Sequence, residues 1–209
     1  MLSGLFTGIS RSKVAVALPI FPLKTVLFPG GRLPLRVFET RYMDMAKDCL
    51  KGNQSFGICS IVAGEEVGVP ATYAPIGTVA KIEAWDMPQL GILNLVTVGE
   101  SRFNVLEREV SPAGLSLAQV MLLDEEDAAR APAPDPMLVE LLEKLIERVG
   151  ADHFPAARRF GDANWVSYRL AEILPIRLSV KQKLLEVNDS EVRLRVIAEF
   201  LKLQGAIPR

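Results

Sequence analysis

The sequence is poor in the side chains that most often carry chemistry. Its 209 residues include one histidine, His153, and two cysteines, Cys49 and Cys59. A usual zinc site needs clustered Cys or His ligands, and acid–base catalysis at neutral pH favours a histidine beside a nucleophile. His153 has no serine or cysteine close to it in sequence. We therefore expect a surface or hinge histidine, no metal, no cofactor and no enzymatic activity.

Long apolar runs and secretion signals are also missing. Pro19 and Pro22 break the longest apolar run, which stays well short of the ~20 residues that a membrane span needs. The N-terminus has no basic segment followed by a continuous apolar one. Two separated cysteines make a weak case for a disulfide, and free buried thiols are typical of a reducing compartment. The sequence predicts a cytoplasmic protein with no membrane contact.

An excess of charge of one sign is absent as well. The formal net charge is −1, which gives no electrostatic reason to expect nucleic acid as a partner. No run of the sequence interleaves basic and aromatic residues, as single-strand RNA binders commonly do. One alternative stays open, because Arg32, Arg36, Arg102 and Arg108 could cluster on one face and bind RNA.

The first 123 residues read as short strands. The segments are rich in Val, Ile, Leu and Phe and are bounded by Gly, Pro, Asn or Ser. The predicted strands are 14–18, 33–38, 56–62, 77–86, 92–98, 103–109 and 115–123. One helix is predicted over 40–51, where Tyr42, Met45 and Cys49 follow helical spacing. Many short strands at close spacing indicate a barrel or a sandwich.

The remainder of the chain reads as helices after an acidic, then Ala/Pro-rich linker. The predicted helix starts are Asp135, Asp162, Ser179 and Asn188, and the last two have capping-box partners in Gln182 and Glu191. The acidic run 124–127 lacks the spacing of a calcium loop, so we interpret it as solvated linker. The fold class is therefore α+β, with domains at 1–123 and 137–209 joined by a linker at 124–136. The four helices can close a small bundle or pack onto the barrel.

A glycine pair marks the sharpest turn, within LFPGGRLPLRVFE. Pro29 presets the backbone ahead of Gly30 and Gly31, and at least one of these glycines is expected to take a positive φ. A phosphate loop would instead need Lys and Ser/Thr after the glycines at the start of a helix. Pro34 is expected at a strand start or edge, where its missing N–H costs little.

The run LPIFPLKTVLFPGGRLPLRVFETRY, residues 18–42, resembles the opening signature of the Lon N-terminal domain family. The matching residues include Pro22, Phe28, Pro29, Gly30, Pro34, Glu39, Arg41 and Tyr42. Weaker similarities follow in 56–58, in 76–80, in VGESRF, which resembles a hairpin of the family, and in KLLEVNDSEVRLRVIAEFL. The resemblance covers roughly residues 14–203.

This resemblance implies a PUA-like β-barrel (pseudo-barrel) with one inserted helix, followed by a C-terminal helical bundle. In full-length Lon proteases the region helps to recognise substrates, while other modules carry ATPase and Ser-Lys proteolysis; a similar domain occurs in cereblon. No Walker motif occurs in this sequence. The resemblance implies a stand-alone, non-enzymatic module that binds polypeptide, with a PUA-like RNA binder as the alternative and an unknown oligomeric state. We expect the eight signature residues to be structural, and we assume no pairing of Glu39 with Arg41.

The segment EAWDMPQLGIL carries the candidate binding residues. Trp85, Met87 and Leu90 fall at a predicted hairpin turn that contains Pro88 and Gly91. Exposed Trp and Met side chains can anchor apolar peptide. The alternative is that the three side chains fold back onto the core.

The linker provides a first test. Limited proteolysis is expected to cleave first between Asp124 and Pro136, because exposed linkers are the preferred sites of nicking. N-terminal sequencing of the fragments locates the cut. Cleavage inside 138–149 with an intact linker would contradict the division into two parts.

Overall fold

Seven strands and five α-helices make up residues 15–126 and 131–207, which a computed structural model describes. The strands are β1 (Ala15–Leu23), β2 (Arg32–Val37), β3 (Phe56–Ala63), β4 (Thr72–Tyr73), β5 (Ile76–Gln89), β6 (Ile92–Val110) and β7 (Ser116–Leu122). The helices are α1 (Thr40–Gly52), α2 (Pro136–Val149), α3 (Ala163–Ile173), α4 (Leu178–Glu186) and α5 (Ser190–Leu203), with a 3₁₀ turn at Ala151–His153. The predicted order, strands with one inserted helix and then helices, is confirmed.

The strand pairings begin and end at β1. β1 is antiparallel to β7, β7 pairs with β6, β6 with β5 and β5 with β3, and β3 returns to β1 as the one parallel pair of the described sheet. β2 pairs with the first part of β6, and the two-residue β4 pairs with β3. All pairings except β1–β3 are antiparallel, so the strand-rich region (residues 15–122) is a mainly antiparallel sheet.

Strand β1 extends five residues beyond the predicted end at Leu18 and passes through two prolines. It pairs with β7 over Ala15–Ile20 and with β3 over Ile20–Leu23. Most of β1 is thus paired on one edge at a time, and proline is tolerated in strands where its missing N–H faces no partner. The sequence pattern ended the strand early because it treated each proline as a break.

Strand β6 is continuous where the sequence predicted two strands joined by a VGESRF hairpin. Gly99 explains the error. Its amide donates to the Gly31 carbonyl and its carbonyl accepts from the Gly30 amide, and a Cβ at Gly99 would overlap the Phe28 carbonyl. Gly99 therefore permits a close backbone approach within the strand and does not turn the chain.

Three clusters of buried apolar side chains form the core. The first is formed by strand residues and is centred on Ile20 of β1, Phe103 of β6 and Val120 of β7. A second lies under α1, where the Tyr42 ring stacks on Phe21 with centroids 4.0 Å apart. The third fills the helical region (residues 136–203), where α3 packs against α2, α4 and α5.

Two of the four predicted helix caps are confirmed. Asp135 accepts from the Met137 amide, and Asp162 accepts from the Asn164 and Trp165 amides. The Ser179 prediction is wrong, because α4 begins at Leu178 with Arg177 before it and has no side-chain cap.

The Asn188 prediction is wrong by one residue. Asp189 caps α5 through the Val192 amide, while Asn188 Oδ1 accepts from Arg102 Nη2. A tertiary contact has taken the side chain that the local pattern assigned to the helix.

Arg102 joins the strand-rich region to the helical region. It lies on β6 and is only 1% exposed. Its Nη1 donates to the Leu185 carbonyl at 2.9 Å and to the Val187 carbonyl at 3.3 Å, at the end of α4. Its Nε donates to Glu125 Oε1 at 2.7 Å. A buried guanidinium needs several acceptors in its plane, and these groups supply them.

Glu125 and Glu126 of the acidic run are part of this junction, which corrects their interpretation as solvated linker, while Asp127 lies outside the described residues. Glu125 pairs with Arg102 and accepts from the Tyr168 hydroxyl at 3.0 Å. Glu126 Oε2 accepts from the Ser190 amide at 2.8 Å, at the start of α5. A carboxylate at a helix N-terminus is electrostatically favourable.

The glycine-pair turn also connects the two regions. Gly30 has a φ of +70°, as predicted for at least one of the pair. Phe28, just before the turn, is fully buried in the helical cluster and lies 5.5 Å from the Tyr168 ring between centroids. The Pro29 carbonyl accepts from Arg169 Nη2 at 2.9 Å. The turn therefore positions both an apolar and a polar contact with α3.

Replacing Gly30 with Val is expected to lower the free energy of unfolding by about 1–2 kcal/mol or more, because a side chain disfavours positive φ. Chemical denaturation measures the loss. Gly161→Val is the control, since Gly161 has ordinary φ and no atom within 4 Å of a Cβ. Equal losses in the two variants would contradict this explanation.

Glu172 predicts a pH dependence of stability. Burial raises the pKa of this carboxyl to about 7 from its ordinary value of 4.5, against the opposing charges of Arg169 and Lys181. Between these pH values the folded chain keeps a proton that the unfolded chain has lost, so stability decreases as pH rises through that window. Glu172→Gln should remove this component, and its amide oxygen can still accept from Arg169.

Denaturation of both proteins from pH 4 to 8 checks this expectation. Exposed Glu199→Gln serves as the control substitution. A wild-type minus Glu172→Gln difference that does not change between about pH 4.5 and pH 7 would show that Glu172 has an ordinary pKa.

Candidate functional site

The segment that carries the candidate binding residues is the hairpin between β5 and β6. Gln89 pairs with Ile92, so the turn consists of Leu90 and Gly91. Gly91 has a φ of +85°, which a residue with a side chain rarely adopts. Pro88 was expected in the turn but lies in β5, beside an irregularity in the β5–β6 pairing.

The three candidate side chains are exposed. Trp85 is 57% exposed, Met87 43% and Leu90 96%, and none belongs to a buried core cluster. The alternative, in which the three side chains fold back onto the core, is therefore wrong. Large exposed apolar side chains grouped on one hairpin often mark an interaction site.

Helix α1 supplies the facing wall. Met43, Lys47, Leu50 and Lys51 are spaced at i, i+4, i+7 and i+8, which places them on one helix face. The buried face of the same helix carries Tyr42, Met45, Ala46 and Cys49. This second face combines two apolar residues, Met43 and Leu50, with two lysines, and it borders solvent.

Together the two walls enclose a groove of about 540 Å³, here named the hairpin groove. Its lining consists of Met43, Lys47, Leu50, Lys51, Trp85, Met87, Leu90, Gly91 and Leu93. Aliphatic, thioether and indole groups can bind an apolar chain, and flexible Met side chains adapt to different shapes. Among the described residues, no Ser, Cys, His, Asp or Glu belongs to the lining.

The first four signature residues lie in β1 and the glycine-pair turn. Pro22 pairs with Cys59 of β3. Phe28, Pro29 and Gly30 make the contacts with α3 and β6 described above. None of these four lines the hairpin groove.

The other four surround the start of α1. Pro34 is exposed on β2 and pairs with Val96. Glu39 precedes the helix in extended conformation and accepts from Arg41 Nη2 at 2.9 Å. The sequence does not predict this ion pair, because residues two apart within a helix point in different directions. Glu39 lies before the helix in extended conformation, so its side chain can reach Arg41. Arg41 Nη1 also donates to the Gly114 carbonyl at 2.9 Å.

The arginines of the RNA alternative do not form one free face. Arg102 is buried in the junction. Arg32 pairs with Glu83 and donates to the Asp152 carbonyl. Arg108 lies over the Tyr73 ring, 4.6 Å from its centroid, and donates to the Tyr73 carbonyl. Of the four, Arg36 and Arg108 are exposed, and the contacts of Arg108 with Tyr73 hold it against β4.

The scarce reactive residues lie apart from the groove. His153 is exposed in the 3₁₀ turn, as expected of a surface histidine. Both cysteines are free and buried, and burial raises the pKa of each thiol, which keeps them unreactive. No helix in residues 15–126 and 131–207 has the length and apolar content to cross a membrane.

Sequence reasoning found the hairpin but missed the α1 wall. The helical pattern was read for its core stripe alone, and Met43 and Leu50 lie just outside that stripe. The spacing of Met43 and Leu50, seven residues apart and beside a complete core stripe, was the sequence signal for a second apolar contact on α1. Their approach to the hairpin depends on tertiary structure.

The sequence is similar to a known protein family and to several of its members. A family model described as the ATP-dependent protease La (LON) substrate-binding domain matches residues 17–203. Lon protease 2 of Myxococcus xanthus is 28% identical over 210 residues, which cover 95% of this chain and 25% of the relative. The cereblon of Gallus gallus is 28% identical over 112 residues, 52% of this chain and 24% of that protein. The chain thus spans about a quarter of the length of these curated relatives.

Two solved structures are similar in fold. A Lon N-terminal domain protein from Xanthomonas campestris has a TM-score of 0.72 and 32% identity, covering 88% of this chain and 98% of its own. The N-terminal domain of Mycobacterium avium complex Lon protease has a TM-score of 0.63 and 21% identity, covering 90% and 98%. The second likeness bears on the fold alone.

Proposed function

The chain belongs to the LON substrate-binding domain family, and on that premise we propose that it binds extended or unfolded polypeptide in the hairpin groove. Binding requires neither ATP nor cleavage of the bound chain. The observation that carries the proposal is the exposure of Trp85, Met87 and Leu90 opposite Met43 and Leu50 of α1.

The remainder of the fold provides a rigid frame for this groove. The ring of pairings that starts and ends at β1 supports a PUA-like barrel, and the packing of α3 against three other helices supports a helical bundle. Both walls of the groove begin in the strand-rich region. Leu93 and Met43, at the base of the walls, pack in or against the cluster under α1. The groove is therefore supported from below while its upper residues stay in solvent.

The affinity expected of such a groove is modest. Exposed apolar anchors contribute on the order of 1–2 kcal/mol each, and ordering a flexible polypeptide costs part of that gain. A weak, adaptable contact suits a module that meets many unfolded sequences. Two lysines and one exposed indole line the groove, which is less than the continuous basic channel with successive aromatic platforms that single-stranded nucleic acid needs.

Replacing Trp85 and Met87 together with Ala is expected to weaken binding to a denatured model protein about tenfold or more, since ~1.4 kcal/mol is a factor of ten. Fluorescence anisotropy with labelled, permanently unfolded protein measures affinity. The melting temperature should change little, because both side chains are exposed.

Val69→Ala with Leu203→Ala is the matched control, since both side chains are exposed and lie outside the groove. Mass spectrometry of the recovered ligand checks that it stays intact. Equal affinity of the Trp85/Met87 variant and wild type would remove the groove from the proposal. Salt-sensitive RNA binding without polypeptide binding would replace the proposed function.

Tryptophan fluorescence gives an independent readout on the unlabelled protein. The chain has two tryptophans; Trp85 is exposed and Trp165 is buried, so acrylamide quenching reports mainly Trp85. Bound polypeptide is expected to reduce this quenching, because it covers the indole. Unchanged quenching at saturating ligand would place the binding surface elsewhere.

A further inference from the structure

The hairpin groove has a one-sided electrostatic character. The two charged residues of its lining are Lys47 and Lys51, both on α1. They are one helical turn apart and lie on the face that opposes the hairpin. Within the described chain, no Asp or Glu lines the groove. A chain that occupies the groove therefore meets positive charge along one wall and apolar surface along the other.

The neighbouring carboxylates do not cancel this charge. Lys47 Nζ lies 3.9 Å from Asp44 Oδ1, and both side chains are more than 60% exposed, a separation at which a solvated pair interacts weakly. Lys51 forms no ion pair with any residue that the structure describes. Asp48 and Asp86 lie on the same two elements but outside the groove lining.

We propose that the groove selects apolar polypeptide segments flanked by acidic residues. This specificity rests on the proposed function, since it concerns the same groove. Bound side chains of the segment lie against Trp85, Met87 and Leu90, and flanking Asp or Glu residues reach Lys47 and Lys51. A segment with basic flanks places like charges against the lysines and binds more weakly. Charge complementarity of this kind contributes more to selectivity than to affinity.

The size of the preference follows from exposed ion pairs. Two such pairs together correspond to roughly a threefold to tenfold preference for acidic over basic flanks at low salt. Because the lysines border solvent, added salt screens the interaction; the Debye length is about 30 Å at 0.01 M and about 3 Å at 1 M ionic strength. The apolar part of the binding does not share this sensitivity.

Three labelled peptides test the proposal. They share one apolar central sequence and carry Glu, Ser or Lys residues on both flanks. Anisotropy titrations compare wild type, the Lys47→Glu/Lys51→Glu variant, and the Lys144→Glu/Lys202→Glu variant, which makes the same change in net charge on α2 and α5, outside the groove. Each titration is repeated at about 0.02 M and about 0.5 M salt. The Debye length is about 10 Å at 0.1 M, so it is longer than this at the lower concentration and shorter at the higher one.

The expected result is that wild type and the α2/α5 variant bind in the order Glu, Ser, Lys at low salt, that the preference fades at high salt, and that Lys47→Glu/Lys51→Glu reverses the order. Equal affinity of wild type for all three peptides would overturn the charge specificity and leave the proposed function standing. The same reversal in the α2/α5 variant would assign the effect to net charge and also overturn it. No binding of any peptide would overturn the proposed function itself.

Discussion

The buried guanidinium of Arg102 is the interaction on which the arrangement of the two regions depends. It lies on β6, yet its acceptors are carbonyls at the end of α4, the Asn188 side chain and the Glu125 carboxylate. A charge buried this completely is tolerated only where acceptors converge on it. Losing one region's contribution would leave the charge unsatisfied, so Arg102 fixes the helices in one position relative to the strands.

A second buried guanidinium, within the helical region beside the junction, follows the same rule. Arg193 on α5 is buried over the Tyr168 ring, 4.2 Å from its centroid, and donates to the Ser167 hydroxyl and the Val187 carbonyl. The neighbouring Phe28 enters the helical cluster from the glycine-pair turn. The junction therefore combines apolar burial with directional hydrogen bonds, and the directional bonds determine the orientation.

The hairpin groove differs from the junction because its main side chains are exposed and not buried. Trp85, Met87 and Leu90 belong to no core cluster, and Leu90 at the hairpin tip is almost fully exposed. For the proposed function, this arrangement combines a junction held by directional hydrogen bonds with an exposed groove that can accommodate different polypeptides. In the specificity proposed above, Lys47 and Lys51 of α1 add charge selectivity to this surface.

The sequence alone determined the features that depend on neighbouring residues: the inserted helix, the Asp135 and Asp162 caps, a positive φ within the glycine pair and the hairpin turn that follows Trp85 and Met87. Local patterns carry these because turns, caps and amphipathic stripes are made by residues a few positions apart. Tertiary structure decided the rest. It drew Asn188 away from its helix, buried Arg102, joined two predicted strands through Gly99 and brought Met43 and Leu50 opposite Trp85, because each of these depends on contacts between residues distant in sequence.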